Sequence, residues 1–454
     1  MAAVIVGIAL TMLDGTLINL ALPKITHDLS ATAAQTVWII NAYQIAILSF
    51  LLPLAALGDR IGYRRVYRAG LALFTLAVLG CLICAFLSSL PALVAMRAVQ
   101  GVGAAGMMSV NTALVRLIYP RKLLGRGVAF NSMIVAASSV AGPSIAAGLL
   151  SVAPWHWLFA IDLPFGIVVA TLVRFLPKNP PGNADVTENK SLSWVDVLLN
   201  ALMFAPIFLG ADILGARESS SMLSAASSIA LGIALVLLGG AVGVVYLRRQ
   251  WRRPLPVFPL DLLRIPIFAL SMCTSVTAFT AQTLSYVALP FLLLDAYGRT
   301  PPQAGALITA WPLAIFVVAP LAGRLIGRIP DGKLGGLGLG ILSLGLALTA
   351  CLPERPDNAD IIWRLALCGV GFGLFQSPNN HTIVTSAPLH RSGGASGMLG
   401  TARLTGQTFG AVLIATIFSV ADPHNGHGPT LALGLAAGFA AVAGVFSTLR
   451  LRAA

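Results

Sequence analysis

GVGAAGMMSVN (Gly101–Asn111) and GVGFGLFQSPN (Gly369–Asn379) carry one pattern 268 positions apart. Gly101, Val102, Gly103, Ser109 and Asn111 recur as Gly369, Val370, Gly371, Ser377 and Asn379. The same offset takes Gly142 onto Gly410, and Arg60-Ile61 onto Arg328-Ile329. Both copies lie in long apolar runs. Several separated pairs sharing one offset indicate a duplicated helical membrane bundle of two related halves, an architecture that binds a small molecule between its halves and rocks around it.

Composition agrees. Of 454 residues, 57% are hydrophobic and only 10% charged, with a mean hydropathy of +0.87; a soluble chain of this length needs far more surface charge. Apolar stretches of about 20 residues recur along the chain, the length of a membrane-spanning helix, and the short alternating segments of a transmembrane barrel are missing. The first stretch starts almost at Met1 without a basic leader or a small-residue cleavage site, so it is expected to be a retained helix. The five cysteines sit in or beside apolar runs. Cys81 and Cys84 form a CxxC with no second Cys or His pair nearby, which reads as helix packing.

Fourteen spans are expected, from 2–22 to 430–449. The net charge of +13 is distributed by side of the membrane. Arg60, Arg64, Arg65 and Arg68, then Arg116, Arg121, Lys122 and Arg126, and on through Arg248, Arg249, Arg252, Arg253, Arg264, Arg324, Arg328, Lys333, Arg391, Arg403, Arg450 and Arg452, all fall to one side. That is the positive-inside pattern; it argues against nucleic acid and places both termini in the cytoplasm. The expected division is a six-helix bundle over 1–180, a linker with two extra helices over 181–265, and a second six-helix bundle over 266–454. The polar Lys178–Ser193 stretch and the basic RRQWRRP (Arg248–Pro254) mark the junctions.

The motifs name a family. GDRIGYRR (Gly58–Arg65) has two glycines for a tight reversal and Asp59 to pair with arginine or cap a helix. It resembles the G-x-L-[AG]-D-R-x-G-[RK]-[RK] loop of the major facilitator superfamily, with Ala55 in place of the first Gly and Tyr63 in place of a basic residue. That resemblance implies a conformational switch carried by Gly58, Asp59, Arg60, Gly62, Arg64 and Arg65. GRLIGRIPDGK (Gly323–Lys333) is a degenerate second copy. LDGTLINLALP (Leu13–Pro23) resembles LDxTIVNVALP of the fourteen-span drug:proton antiporters. RAVQGVGAAG (Arg97–Gly106) matches the superfamily's R-x-x-x-G-x-G-x-A element. SSVAGPSIAAG (Ser138–Gly148) resembles the antiporter kink G-x-x-x-G-P-x-x-G-G, keeping Gly142 and Pro143. WHWLFAIDLPFG (Trp155–Gly166) resembles WRWIFLINVPIG, with His156 for Arg and Asp162 for Asn. LPFLLLDAYGRTPPQAG (Leu289–Gly305) follows LPLYLQxxxGxSPxQAG, with Leu292 and Leu294 replacing polar residues. The resemblance runs in order from about residue 8 to 420.

Depth relates two of these residues. Asp14 lies about eight residues inside the first span, or roughly 12 Å, and Arg97 about five residues inside the fourth, or roughly 8 Å. A carboxylate that deep is costly and a functional candidate. Either Arg97 meets Asp14 and exchanges partner as a proton binds, or it snorkels to the outer surface. Asp162 is either an additional protonation site or a solvated carboxylate. Asp212 and Asp295, near outer span ends, rank below Asp14.

Other chemistries find little support. GVGAAG fits G-x-G-x-x-G, but no strand precedes it and its glycines serve helix contact. There is no phosphate-binding G-x-x-x-x-G-K-[ST]. No nucleophile–base pair suggests an enzyme, and Asp422, His424 and His427 in one loop do not make a metal site. The expected protein is therefore an all-α major facilitator with fourteen helices (6+2+6), a monomer in a cell (inner) membrane. It is expected to export hydrophobic or cationic small molecules without a cofactor; the resemblance implies the proton as coupling ion. A transporter of one specific metabolite (an amino acid, a siderophore or a lipid precursor) is the alternative. Asn19, Trp38, Asn41, Tyr43, Gln44, Gln282, Trp311 and Gln376 are the expected cavity-lining groups. Tyr43 and Trp311, which share the 268 offset, are expected to face each other.

Overall fold

The computed structural model describes residues 1–31, 33–120, 123–177, 193–215, 225–251, 253, 256–353, 355–421 and 426–453. The described residues form helices and no strand; one isolated bridge joins Ile326 and Ile329. The helices are α1 (Ala2–Asp28), α2 (Ala33–Ile61), α3 (Tyr63–Phe86), α4 (Leu90–Ile118), α5 (Leu124–Val152), α6 (Trp157–Ala160), α7 (Asp162–Leu172), α8 (Trp194–Gly215) and α9 (Ala225–Trp251). They continue as α10 (Leu260–Leu263), α11 (Pro266–Phe291), α12 (Pro301–Ile308), α13 (Ala310–Leu325), α14 (Asp331–Ala350), α15 (Asn358–Ser386), α16 (Ser392–Val420) and α17 (His427–Ala453). Among the described residues, eleven helical stretches are long and apolar enough to cross a membrane. Leu76, Ile83, Leu237 and Val245 are well exposed on their flanks, as expected where hydrocarbon is the solvent. This is a multi-pass membrane protein.

The duplication is visible atom by atom. In lipid there is little hydrophobic drive between helices, so close backbone approach at small residues holds them together. A side chain on Gly101 would strike the Tyr43 carbonyl and Ala46; on Gly369 it would strike the Trp311 carbonyl and Ala314. Gly103 lies against Phe74 N and Gly70 O, and Gly371 against Leu342 N and Gly338 O. Every partner is displaced by the same 268 positions. The motif glycines therefore seat α4 on α2 and α3 in one half, and α15 on α13 and α14 in the other.

The additional pair, α8 and α9, pack on each other through Gly210, Gly232 and Gly239. The pair docks on α2 through Asn200 Nδ2, which donates to the Ser49 carbonyl at 2.7 Å. The basic junction is a clamp: Arg249 Nε and Arg253 Nη1 reach the buried Asp196 carboxylate at 2.8 and 2.6 Å. The rest of the expected linker, residues 178–192, lies outside the described residues.

Some expectations change. Asp59 and Arg60 sit on α2 itself, because the helix runs on to Ile61; the turn to α3 is Gly62 alone, whose φ of 105° favours glycine. The expected span 158–176 is one apolar helical stretch, Trp157–Phe175, in which α6 and α7 meet at Ile161. Helix α5 runs unbroken through Gly142 and Pro143, and the Pro143 side chain lies outside the described residues. Arg403, expected among the basic residues of the cytoplasmic side, lies in the fourth turn of α16, inside the bundle. The free cysteines Cys81 and Cys368 are buried in helix contacts.

The paired glycines predict a contrast. Gly371→Ala, facing immovable backbone, should lose about 1–3 kcal/mol. Gly340→Ala, with open space around it, should be neutral or gain about 0.5–1 kcal/mol from helix propensity. Thermal unfolding in detergent compares them; equal midpoints would remove the close-packing account.

Candidate functional site

Asp14 on α1 and Arg97 on α4 meet in the interior, each only 1% exposed. Arg97 Nη1 donates to Asp14 Oδ1 at 2.8 Å and to Oδ2 at 3.0 Å. It also donates to Gln100 Oε1 at 2.8 Å. Gln100, one turn along the same helix, returns Nε2 to Asp14 Oδ1 at 3.0 Å. Arg97 Nε donates to the Ile39 carbonyl at 3.1 Å, tying the cluster to α2. Breaking such a buried pair by removing one partner costs about 3–5 kcal/mol, so the pair fixes how α1, α2 and α4 sit together.

Asp162, at the start of α7, is 2% exposed and its carboxyl group lies against that of Asp14. Its Oδ1 has no hydrogen-bond partner among the described residues. Asp162 is thus not a solvated surface group: it is buried in the bundle. Two carboxyl groups and one guanidinium share the pocket.

Tyr43 separates this cluster from the central cavity. Arg97 Cζ lies 4.3 Å from the centroid of the Tyr43 ring, and the same residue lines a cavity of about 280 Å³ between the halves. Gln44 and Gln376 also line it, as expected from the sequence. Asn41, Trp38, Gln282 and Trp311 do not. Trp38 is largely exposed, Asn41 is buried between helices, and Trp311 is fully buried against Tyr286, with ring centroids 5.0 Å apart. Trp311 therefore does not face Tyr43 across the cavity: the larger indole stays inside its own half. The Asn19 side chain lies outside the described residues.

The cavity also holds groups the sequence reading missed. Asn111, Asn131 and Asn380 contribute amides, and Ser396, Gly400, Arg403 and Gln407 face it from α16. Their spacing of three or four residues is one helical face, a polar stripe legible within an otherwise apolar run.

One end of the cavity is sealed by the α2–α3 corner. Asp59 Oδ1 accepts from Gly393 N at 2.7 Å and from Tyr63 Oη at 2.7 Å, and Oδ2 accepts from Gly394 N at 2.9 Å. A carboxylate of one half thus caps the N-terminus of α16 in the other, where the helix dipole favours negative charge. Arg391 stands 3.7 Å from Asp59 Oδ2 and is held by Asp261 at 2.7 Å. Arg116 Nη1 reinforces the seal, donating to the Ala387 carbonyl at 2.9 Å and to Ser392 Oγ at 3.0 Å. Arg64 and Arg65 instead donate to backbone carbonyls of Arg174 and Ile61. The degenerate copy cannot cap in the same way, since Gly327 stands where Asp59 would; its neighbour Ile326 packs on Gly125. Both chain ends lie on this face: Tyr67 Oη donates to the Ala3 carbonyl, and Ser447 Oγ to the Gly332 carbonyl.

No cluster of His, Cys, Asp or Glu among the described residues could hold a metal; Asp422 and His424 lie outside them.

Comparison with known proteins agrees with this architecture. The family model described as Major Facilitator Superfamily matches residues 4–411 and 270–453. The chain is 48% identical to the uncharacterized transporter YebQ of Escherichia coli (strain K12), over 99% of this chain and 94% of that one. It is 25% identical to the riboflavin transporter RibZ of Clostridioides difficile (strain 630), over 92% and 88%. It is 29% identical to the multidrug resistance protein Stp of Mycobacterium tuberculosis, over 92% and 76%. With a family model spanning nearly its whole length and a relative close to half identical end to end, this chain belongs to the Major Facilitator Superfamily.

Proposed function

We propose that the protein is a proton-coupled exporter of small lipophilic molecules that works by alternating access around the central cavity. The observation that carries this reading is the Asp14–Arg97 pair, buried beside Asp162 and one aromatic ring away from the cavity. A proton taken up by the two carboxyl groups removes the charge that holds Arg97. Arg97 then changes partner, and Tyr43, stacked on it, passes that change to the cavity wall. Asp59 is the latch: while it caps α16 the cavity is shut on that side.

In this reading the latch face is cytoplasmic, because it carries both termini and the basic corners. The chain crosses a cell (inner) membrane fourteen times. The eleven apolar stretches are joined by α1, α5 and α16, of 27, 29 and 29 residues, each ample for a hydrocarbon core. The halves are 1–180 and 266–454, with the extra pair in 181–265, and the transporter acts as a monomer without a cofactor. Stp, a multidrug resistance protein, supports efflux.

A second reading, transport of one specific metabolite, draws on the convergent amides of Gln44, Asn111, Asn131, Gln376 and Asn380. Placed polar groups of this kind fix the orientation of one ligand. RibZ, a riboflavin transporter, supports it.

Proton release on adding lipophilic compounds to proteoliposomes tests the first reading. Flux should be abolished in Asp14→Asn. Flux that persists removes Asp14 as the carrier, and its loss in Asp162→Asn alone would move the role there. The latch is tested with spin labels at the exposed Ile61 and Leu389. Asp59→Asn should lower the closed-to-open ratio about tenfold, as expected for weakening charge-assisted hydrogen bonds by about 1.4 kcal/mol; an unchanged distance distribution would show that Asp59 is no latch.

A further inference from the structure

Among the described residues, the buried arginines have strong acceptors, and the half-buried Arg403 does not. Arg97 has Asp14, Arg391 has Asp261, and Arg450 has Asn379, Ser271 and Ser447. Arg403, on the cavity wall, has Met12 Sδ at 3.8 Å from both Nη1 and Nη2, and the Phe279 ring 5.8 Å away. A thioether is a weak acceptor and a guanidinium carries five N–H donors. Among the described residues Arg403 makes no ion pair, and the cavity lining contains no Asp, Glu, Lys or His. Among the described residues the cavity therefore presents a single formal charge, and it is positive. The carboxyl groups of Asp14 and Asp162 do not line the cavity, and Asp14 is paired with Arg97.

A lone cation in a small, partly apolar cavity attracts an anion more strongly than it would in water, and repels a cation by the same physics. A guanidinium moreover matches a carboxylate or sulfonate with two parallel hydrogen bonds. Around Arg403 the wall supplies an aromatic face at Phe279 and amides at Gln376, Asn380 and Gln407. These suit an aromatic or otherwise apolar body that carries hydrogen-bonding groups of its own. We propose that the central cavity selects organic anions, with Arg403 pairing the ligand's carboxylate or sulfonate group. This rests on the reading of the cavity as the transport site, and of the hydrophobic or cationic molecules expected from sequence it replaces the cationic ones with the opposite charge.

The test is calorimetric titration of the full-length protein in nanodiscs with two probes of like size and opposite charge, 1-naphthalenesulfonate and 1-naphthylmethylammonium, subtracting empty nanodiscs. In the wild type the sulfonate should bind at least about tenfold more tightly than the ammonium. Arg403→Gln should abolish that preference, and Arg403→Lys should keep its sign while weakening the sulfonate, because a point charge replaces the bidentate fork. Ammonium binding as tight as sulfonate binding in the wild type overturns the proposal without any variant, so a poorly folding Arg403→Gln leaves it open to refutation. Sulfonate affinity unchanged in a folded Arg403→Gln overturns it as well. The two readings fail separately. Arg403-dependent sulfonate binding without compound-driven proton flux sinks the coupling and keeps anion selection. Proton-coupled flux of the ammonium with no sulfonate binding does the reverse.

Discussion

Hydrocarbon cannot solvate a charge or an unpaired peptide group, and the arrangement of this molecule follows from that constraint. It makes the backbone helical almost throughout. It also governs where the charges go. Asp14 and Arg97 neutralise each other at the core of the first half. Asp196, wholly buried, takes two arginines from the end of α9 and so fastens the extra helix pair together. Asp59 borrows the free N–H groups at the start of α16. Each solution joins helices that are distant in sequence, so meeting the electrostatic demand also builds the tertiary contacts.

The same constraint makes the exceptions informative. Asp162 Oδ1 is buried without a partner beside a second carboxyl group, and Arg403 faces the cavity without an anion. A bundle built only for stability would hold neither. Arg403 lines the polar space between the halves, and Asp162 lies in the buried cluster of Asp14 and Arg97 beside it.

Duplication supplies the frame, and departures from it supply the function. The glycine contacts of α4 and α15 coincide residue for residue under the repeat, because backbone approach leaves no latitude. Away from them the halves diverge. Tyr43 lines the cavity while its counterpart Trp311 is sealed inside. Asp59 makes a charged cap, where the second copy has Gly327 and an apolar contact through Ile326. The first half carries the Asp14–Arg97 pair and the carboxylate that caps α16; the other offers the capped helix end and the arginine that faces the cavity.

The sequence by itself determined the membrane class, the helical fold, the repeat and the family, because each is written in local composition or at fixed spacing. It also put Asp14 and Arg97 at comparable depth, since rise along a helix is a linear measure. Only the tertiary structure decided which way each side chain turns. Apart from the polar stripe of α16, these helices are apolar nearly all round, so little in them announces the inward face, and rotation about each axis is set by close contacts such as Gly397 and Gly400 of α16 on Ala55 and Leu51 of α2. That rotation brought Arg403 out of the list of surface charges and onto the cavity wall, and took Asn41, Gln282 and Trp311 off it. Packing likewise put Asp162 inside: an apolar run shows where a helix can form, but its neighbours decide which way each side chain faces.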